Sequence, residues 1–178
     1  MSDSLKGRQI LVVGGAGGLG AATSALLAAE GAALTVTYRA NRERAEQLAG
    51  IARVVQADIT SEEDRRRLLA AMPRLYGLVI FAGHPARAAG PAQLPAAMEH
   101  SMRVNYLGPI LLAREAAARM REQEIPGSLV LVSTMQAVSL FPGSTAYAGA
   151  KSALLQAARI LAKEYRGAPG IRVNVIAP

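Results

Sequence analysis

Apolar residues arrive along this chain in two alternating rhythms. Continuous runs occur at QILVVG (9–14), ALTVTY (33–38), ARVVQA (52–57), GLVIFA (77–82), SLVLVS (128–133) and IRVNVIA (171–177). Their length and Val/Ile/Leu content predict strands buried on both faces. Between them, apolar positions three and four apart predict helices near 18–30, 41–49, 61–71, 103–122 and 146–165. Regular alternation of strand and helix calls for right-handed crossovers and a doubly wound parallel α/β sheet in three layers, α-β-α. Residues 1–178 are read as one domain, long enough to bury a sizeable core. The stretch with most loop character is GHPARAAGPAQLP (83–95). Such a sheet receives its ligand at the carboxyl ends of the strands, where the first and fourth part company. Chemistry is therefore expected in the residues just after each strand.

Composition trims the possibilities. There is no cysteine, which excludes disulfides and thiolate metal sites and fits a reducing, cytoplasmic setting. His84 and His100 are too few and too isolated for a zinc site, so no metal is expected. The net charge of +7 is carried mostly by arginines scattered among acids, as in EEDRRR (62–67) and REQE (121–124), a pattern of solvated helix faces. Without a basic stripe or stacking aromatics, nucleic acid is not the expected partner. Residues 9–29 carry no charge and contain GxxxG, which mimics a membrane span. Five glycines within 14–20 (GGAGGLG) would each weaken a helix by about 1 kcal/mol relative to Ala. A strand, a glycine turn and a helix explain the run better, and no membrane association is expected.

Gly14, Gly18 and Gly20 lie between the first strand and the first helix. Glycines there allow a tight turn with positive φ and let backbone N–H groups approach a pyrophosphate at a helix N-terminus. That predicts dinucleotide binding, with Leu19 inside the same turn. The cofactor type is read at the end of the second strand, where an acid would bond the ribose 2′-hydroxyl of NAD. Tyr38 and Arg39 occupy that place, with Arg42 and Arg44 following. A guanidinium can grip a 2′-phosphate and no carboxylate repels it, so NADP(H) is expected over NAD(H). Asp58 and Ile59 follow the third strand, where Asp58 could bond an adenine amino group or cap the next helix. Ala82 and Gly83 let a cofactor pass close to the backbone.

Further residues complete a pattern. Tyr147 and Lys151 stand four apart in STAYAGAKSALLQAA (144–158), which on a helix places phenol and ammonium on one face. Taken alone, the pair also fits a half-buried tyrosine beside a snorkelling lysine. With GxxxGxG (14–20), Asp58-Ile59, Ala82-Gly83, RVNYLG (103–108), VLVSTMQA (130–137), YAGAK (147–151) and RVNVIAP (172–178), the chain resembles the short-chain dehydrogenases/reductases along essentially its whole length. Within them it is similar to the compact branch that includes 3-oxoacyl-carrier-protein reductases. The resemblance implies a Rossmann fold and a homo-oligomer that exchanges hydride between a nicotinamide cofactor and a small carbonyl or alcohol substrate. It implies that Tyr147 trades a proton with the substrate oxygen and that Lys151 favours the phenolate and bonds the nicotinamide ribose. Thr134 would then steady the oxygen, and Asn105 would hold a water in the proton relay.

The chain departs from that family pattern in four places. Val13 stands for a threonine before the glycine turn, and Thr134 for a serine. Ile80 and Phe81 replace two asparagines, so Phe81 is expected to crowd the cofactor or repack the strand end. The resemblance also implies a C-terminal strand and substrate helices beyond Pro178, which this sequence lacks.

Overall fold

The computed structural model describes residues 4–167 and 169–178. Six strands form one parallel sheet: β1 (Gln9–Val13), β2 (Ala33–Tyr38), β3 (Arg53–Gln56), β4 (Leu75–Ile80), β5 (Ser128–Val132) and β6 (Arg172–Ile176). Their spatial order is β3-β2-β1-β4-β5-β6, every neighbouring pair parallel. The chain leaves β1 towards β2 and β3, then returns to β4 on the other side. The switch point therefore falls between β1 and β4, opening a crevice above their carboxyl ends.

The two faces of the sheet are sorted by alternation along each strand. Leu11 and Val13, with Leu78, Ile80, Leu129 and Leu131, point to the face covered by α3 (Glu62–Ala70), α5 (Gly108–Glu122) and α6 (Thr145–Glu164). Ile10, Val12, Leu34 and Val36 pack on the opposite face with Ala21, Leu27 and Ala28 of α1 (Gly18–Ala29). Ala113, Ala116 and Ala117 of α5 are fully buried, so small side chains let that helix lie close to the sheet. The short α2 (Arg42–Glu46) begins on Asn41, whose side chain accepts from the Arg44 N–H. Several arginines are spent on surface ion pairs, Arg42–Glu46, Arg66–Glu62, Arg67–Asp64 and Arg114–Glu164, as the mixed charge runs imply. No helix of the described residues is long and apolar enough to cross a membrane.

Three boundaries differ from the sequence reading. Strand β4 spans Leu75–Ile80 rather than 77–82, so Phe81, Ala82 and Gly83 lie beyond it in the crevice. The expected loop 83–95 ends early, because a 3₁₀ turn (Pro91–Gln93) leads into α4 (Leu94–Met102). That helix continues into α5 through a π-helical turn, Arg103–Leu107, so the helix predicted to begin near 103 begins at 94. Proline at its first turn, where a missing N–H costs nothing, hid the start among Pro/Ala residues that carry little periodicity.

Candidate active site

The glycine turn is the tightest packing in the crevice. Gly14 has φ +72°, and a Cβ there would lie 2.9 Å from the Ala82 nitrogen. Positive φ is confined to Gly14 within the turn; Gly18 and Gly20 already belong to α1. Gly20 is required for a different reason, since its Cβ would stand 2.6 Å from the Gly14 oxygen and 2.7 Å from Gly15 Cα. A Cβ on Gly18 would meet nothing within 4 Å, and that open side faces the cleft. No side chain caps α1, so its first-turn amides, at Gly18, Leu19 and Gly20, are offered to whatever anion enters. Gly20→Ala is therefore expected to melt several degrees below the parent, with about 1–3 kcal/mol of overpacking, while Gly18→Ala melts within a degree or two of it. A thermal melt of the two variants side by side checks this.

Three clefts meet above the strand ends. One of about 170 Å³ runs over Gly14, Tyr38, Arg39, Asp58, Ile59 and Ala82. One of about 400 Å³ lies on the glycine turn and Leu19, bounded by Thr134 and Tyr147. The third, about 550 Å³, is walled by Gly83, His84, Ser133, Phe141, Tyr147 and Lys151. Gly14, Gly83 and Tyr147 are each shared between two of them, so the crevice is continuous from Arg39 to Lys151. At the Arg39 end, no acid follows β2; the Arg39 carbonyl accepts from Gln56 Nε2, and its exposed guanidinium is left to the cleft. Asp58 faces this cleft and does not cap the next helix. Its Oδ1 accepts from the Thr60 N–H and hydroxyl, and Ser61 caps α3 instead.

At the other end Tyr147 and Lys151 rise one turn apart from α6, and both face the largest cleft. Lys151 is buried, 2 % exposed, and its Nζ donates to the Val132 carbonyl at 2.8 Å. Burial pulls the ammonium down to about 8. The Ser133 hydroxyl donates to the Lys151 carbonyl at 3.1 Å, tying α6 to the end of β5. Tyr147 is half-buried; burial pushes its phenol up, and the neighbouring Thr134 side chain pulls it partly back. The Lys151 ammonium lies 6.0 Å from the Tyr147 ring centroid, held by the Val132 carbonyl. Thr134 leaves β5 extended and starts a 3₁₀ turn, Met135–Ala137, with its hydroxyl accepting from the Gln136 N–H.

Asn105 sits fully buried in the π-helical turn. Its Oδ1 accepts from the His84 N–H at 2.8 Å, and its Nδ2 donates to the His84 carbonyl and to the Ser101 hydroxyl. The asparagine thus clamps the chain after β4, with one Oδ1 lone pair left for a water. A Cβ at Gly83 would stand 3.0 Å from that Oδ1 and 3.4 Å from Lys151 Nζ, so the missing side chain keeps the gap between amide and ammonium open. Phe81 repacks the strand end. It packs against the Ile10/Val12 cluster and also lines the cleft, while its N–H donates to the Val13 carbonyl. Ile80 is simply core. The sequence did not reveal the Val132 carbonyl or Ser101. A backbone acceptor leaves no sequence trace, whereas the Ser101–Asn105 spacing of four was a readable signal. No group of His, Asp and Glu among the described residues could hold a metal ion.

A parallel sheet of this order, with a glycine turn and a tyrosine–lysine pair at its switch point, defines a nucleotide-binding α/β oxidoreductase. The short chain dehydrogenase family model matches residues 8–178, and the chain belongs to the short-chain dehydrogenase/reductase family, oxidoreductases that act on CH–OH groups with a nicotinamide dinucleotide. It is 32% identical over 189 residues to 3beta-hydroxysteroid dehydrogenase 1 of Eggerthella lenta, covering 100% of this chain and 72% of that one. The NADPH-dependent 3-quinuclidinone reductase of Rhodotorula rubra superposes with a TM-score of 0.90 at 25% identity, covering 99% of this chain and 70% of that one. NAD+-bound xylitol dehydrogenase does so with a TM-score of 0.88 at 28% identity, over 98% and 71%.

Proposed function

We propose that this chain is an NADPH-dependent reductase that converts a ketone or a 3-oxoacyl thioester into the alcohol. The observation that carries the reading is that Tyr147 and Thr134 border one cleft where it meets a second, with buried Lys151 one helical turn behind. The glycine turn fits a dinucleotide: Gly18 leaves open space on the cleft, and no side chain caps the α1 amides that would take a pyrophosphate. When bound there, the nicotinamide would supply the hydride. Tyr147 keeps its proton at neutral pH because burial holds the phenol up, and it gives that proton to the substrate oxygen. Thr134, on the same cleft as the phenol, would steady the same oxygen. Lys151 brings a positive charge and a second donor to the ribose side, and Asn105 fixes Gly83 and His84 and holds a relay water. Asp58 and Ile59 border the adenine side, with Ala82 and Gly83 letting the cofactor lie against the backbone.

Arg39 underlies the preference for NADP(H), since relatives of this fold use either cofactor. Arg39→Ala should raise the NADPH Kd about tenfold to a hundredfold and leave NADH nearly unchanged, the loss expected for charge-assisted hydrogen bonds to one phosphate. Fluorescence titration of both cofactors reads it; tighter NADH binding by the parent protein defeats the assignment. For the activity itself, loss of NADPH absorbance with a panel of ketones and 3-oxoacyl thioesters is the direct test. NADPH binding without turnover of any of them would leave a dinucleotide-binding chain and refute the reductase.

A further inference from the structure

The substrate-facing cleft is electrically one-sided. Its lining holds Arg87 and Lys151 as formal cations, with His84 beside them, and no carboxylate among the described residues. Lys151 is committed to Val132, deep in the cleft. Arg87 is exposed, lines the cleft, and makes no ion pair or side-chain hydrogen bond with any described residue. An arginine on a loop would ordinarily wave in solvent, but this one follows a locked backbone.

The lock has three parts. Asn105 holds both the N–H and the carbonyl of His84 at 2.8 Å. The His84 ring, set edge-on against His100 of α4 at 4.8 Å between centroids, accepts at Nδ1 from the Ala86 N–H at 3.0 Å. Ala86 is then buried with φ +46°, a left-handed conformation that alanine rarely adopts. Strain of that kind persists only where neighbours over-determine it, and it is concentrated at ligand sites. The next residue, Arg87, lines the cleft wall.

We propose that Arg87 is the specificity determinant for an anionic oxygen group, carboxylate or phosphate, carried by the substrate beside its carbonyl. A planar guanidinium with five fixed donors suits either acceptor, and a cleft without carboxylates leaves it no internal competitor. The proposal rests on the carbonyl-reducing reading of the same site.

The test separates the two. With NADPH present, 3-hydroxybutyrate and its methyl ester, then glycerol 3-phosphate and glycerol, are titrated calorimetrically, pairs that cannot turn over with the reduced cofactor. At least one charged probe should bind tenfold or more tighter than its neutral analogue, and which pair does so distinguishes carboxylate from phosphate. Arg87→Glu should abolish that difference. In turnover, the ratio of kcat/KM for acetoacetate over methyl acetoacetate, or for dihydroxyacetone phosphate over dihydroxyacetone, should collapse about ten- to a hundredfold in the same variant. Equal binding of charged and neutral probes, a preference that survives Arg87→Glu, or an effect of the variant on NADPH affinity alone would each overturn the assignment. Absence of turnover in the parent would sink the reductase reading, while the binding pairs would still judge Arg87.

Discussion

Tyr147→Phe is expected to cut turnover by about a hundredfold to ten-thousandfold while the NADPH Kd moves less than about twofold, the range for losing one general acid. The substitution keeps the ring that lines two clefts and removes only the hydroxyl. Because burial pushes the phenol above its ordinary value, the proton is present throughout the neutral range. Ketone reduction, which consumes that proton, should then show no loss from Tyr147 between pH 6 and 8, about two units below the ordinary tyrosine pKa. Alcohol oxidation, which needs the phenolate, should climb with pH across the same range. Unchanged turnover in the variant, or a reduction rate that falls steeply through neutrality with an intact cofactor complex, would remove Tyr147 from the reaction.

Lys151→Met is expected to lose activity by at least about a hundredfold and yet to melt at or above the parent temperature at pH 7. Folding brings the ammonium from 10.5 down to about 8 through burial, so the folded chain carries a cost whenever the lysine is charged. Below pH 8 both folded and unfolded chains hold the proton and the whole cost is present. Between about 8 and 10.5 the unfolded chain holds it and the folded chain does not, so stability from this group rises with pH across that window. The full rise is on the order of 3 kcal/mol, an upper figure for a group this buried. Methionine deletes the charge and fills the space, but it leaves the Val132 carbonyl without its donor, at about 1–3 kcal/mol. The two nearly offset at pH 7, and the alkaline rise should vanish from the variant. Melting curves of both proteins from pH 7 to 10 decide it; a variant several degrees less stable, with the same pH slope as the parent, would show that burial does not perturb the lysine.

The pair also shows how far residue spacing carries an electrostatic argument. Four residues on a helix did bring Tyr147 and Lys151 to one face of α6 and to one cleft. Spacing alone could not say which group titrates which. That depends on the Val132 carbonyl, 19 residues away in the chain, which anchors the ammonium, and on Thr134, which borders the same cleft as the phenol. Likewise the Ala82–Gly83 pair was readable as a close-approach site, yet the reason for Gly83 is the gap between Asn105 and Lys151, three segments meeting at one point.

The order of strands and helices, the switch point, the glycine turn and the missing acid after β2 were all written in local pattern. Periodicity, β-branched runs and glycine act over a few residues and need no tertiary partner to be read. Helix α4 escaped because prolines and alanines carry little periodicity, and its identity is fixed by packing against α6. The pKa directions, the Asn105 clamp on His84, and the left-handed Ala86 beside Arg87 at the cleft wall arose only in three dimensions. Burial and hydrogen-bond partnership are properties of the assembled neighbourhood, summed over residues that sequence distance keeps apart.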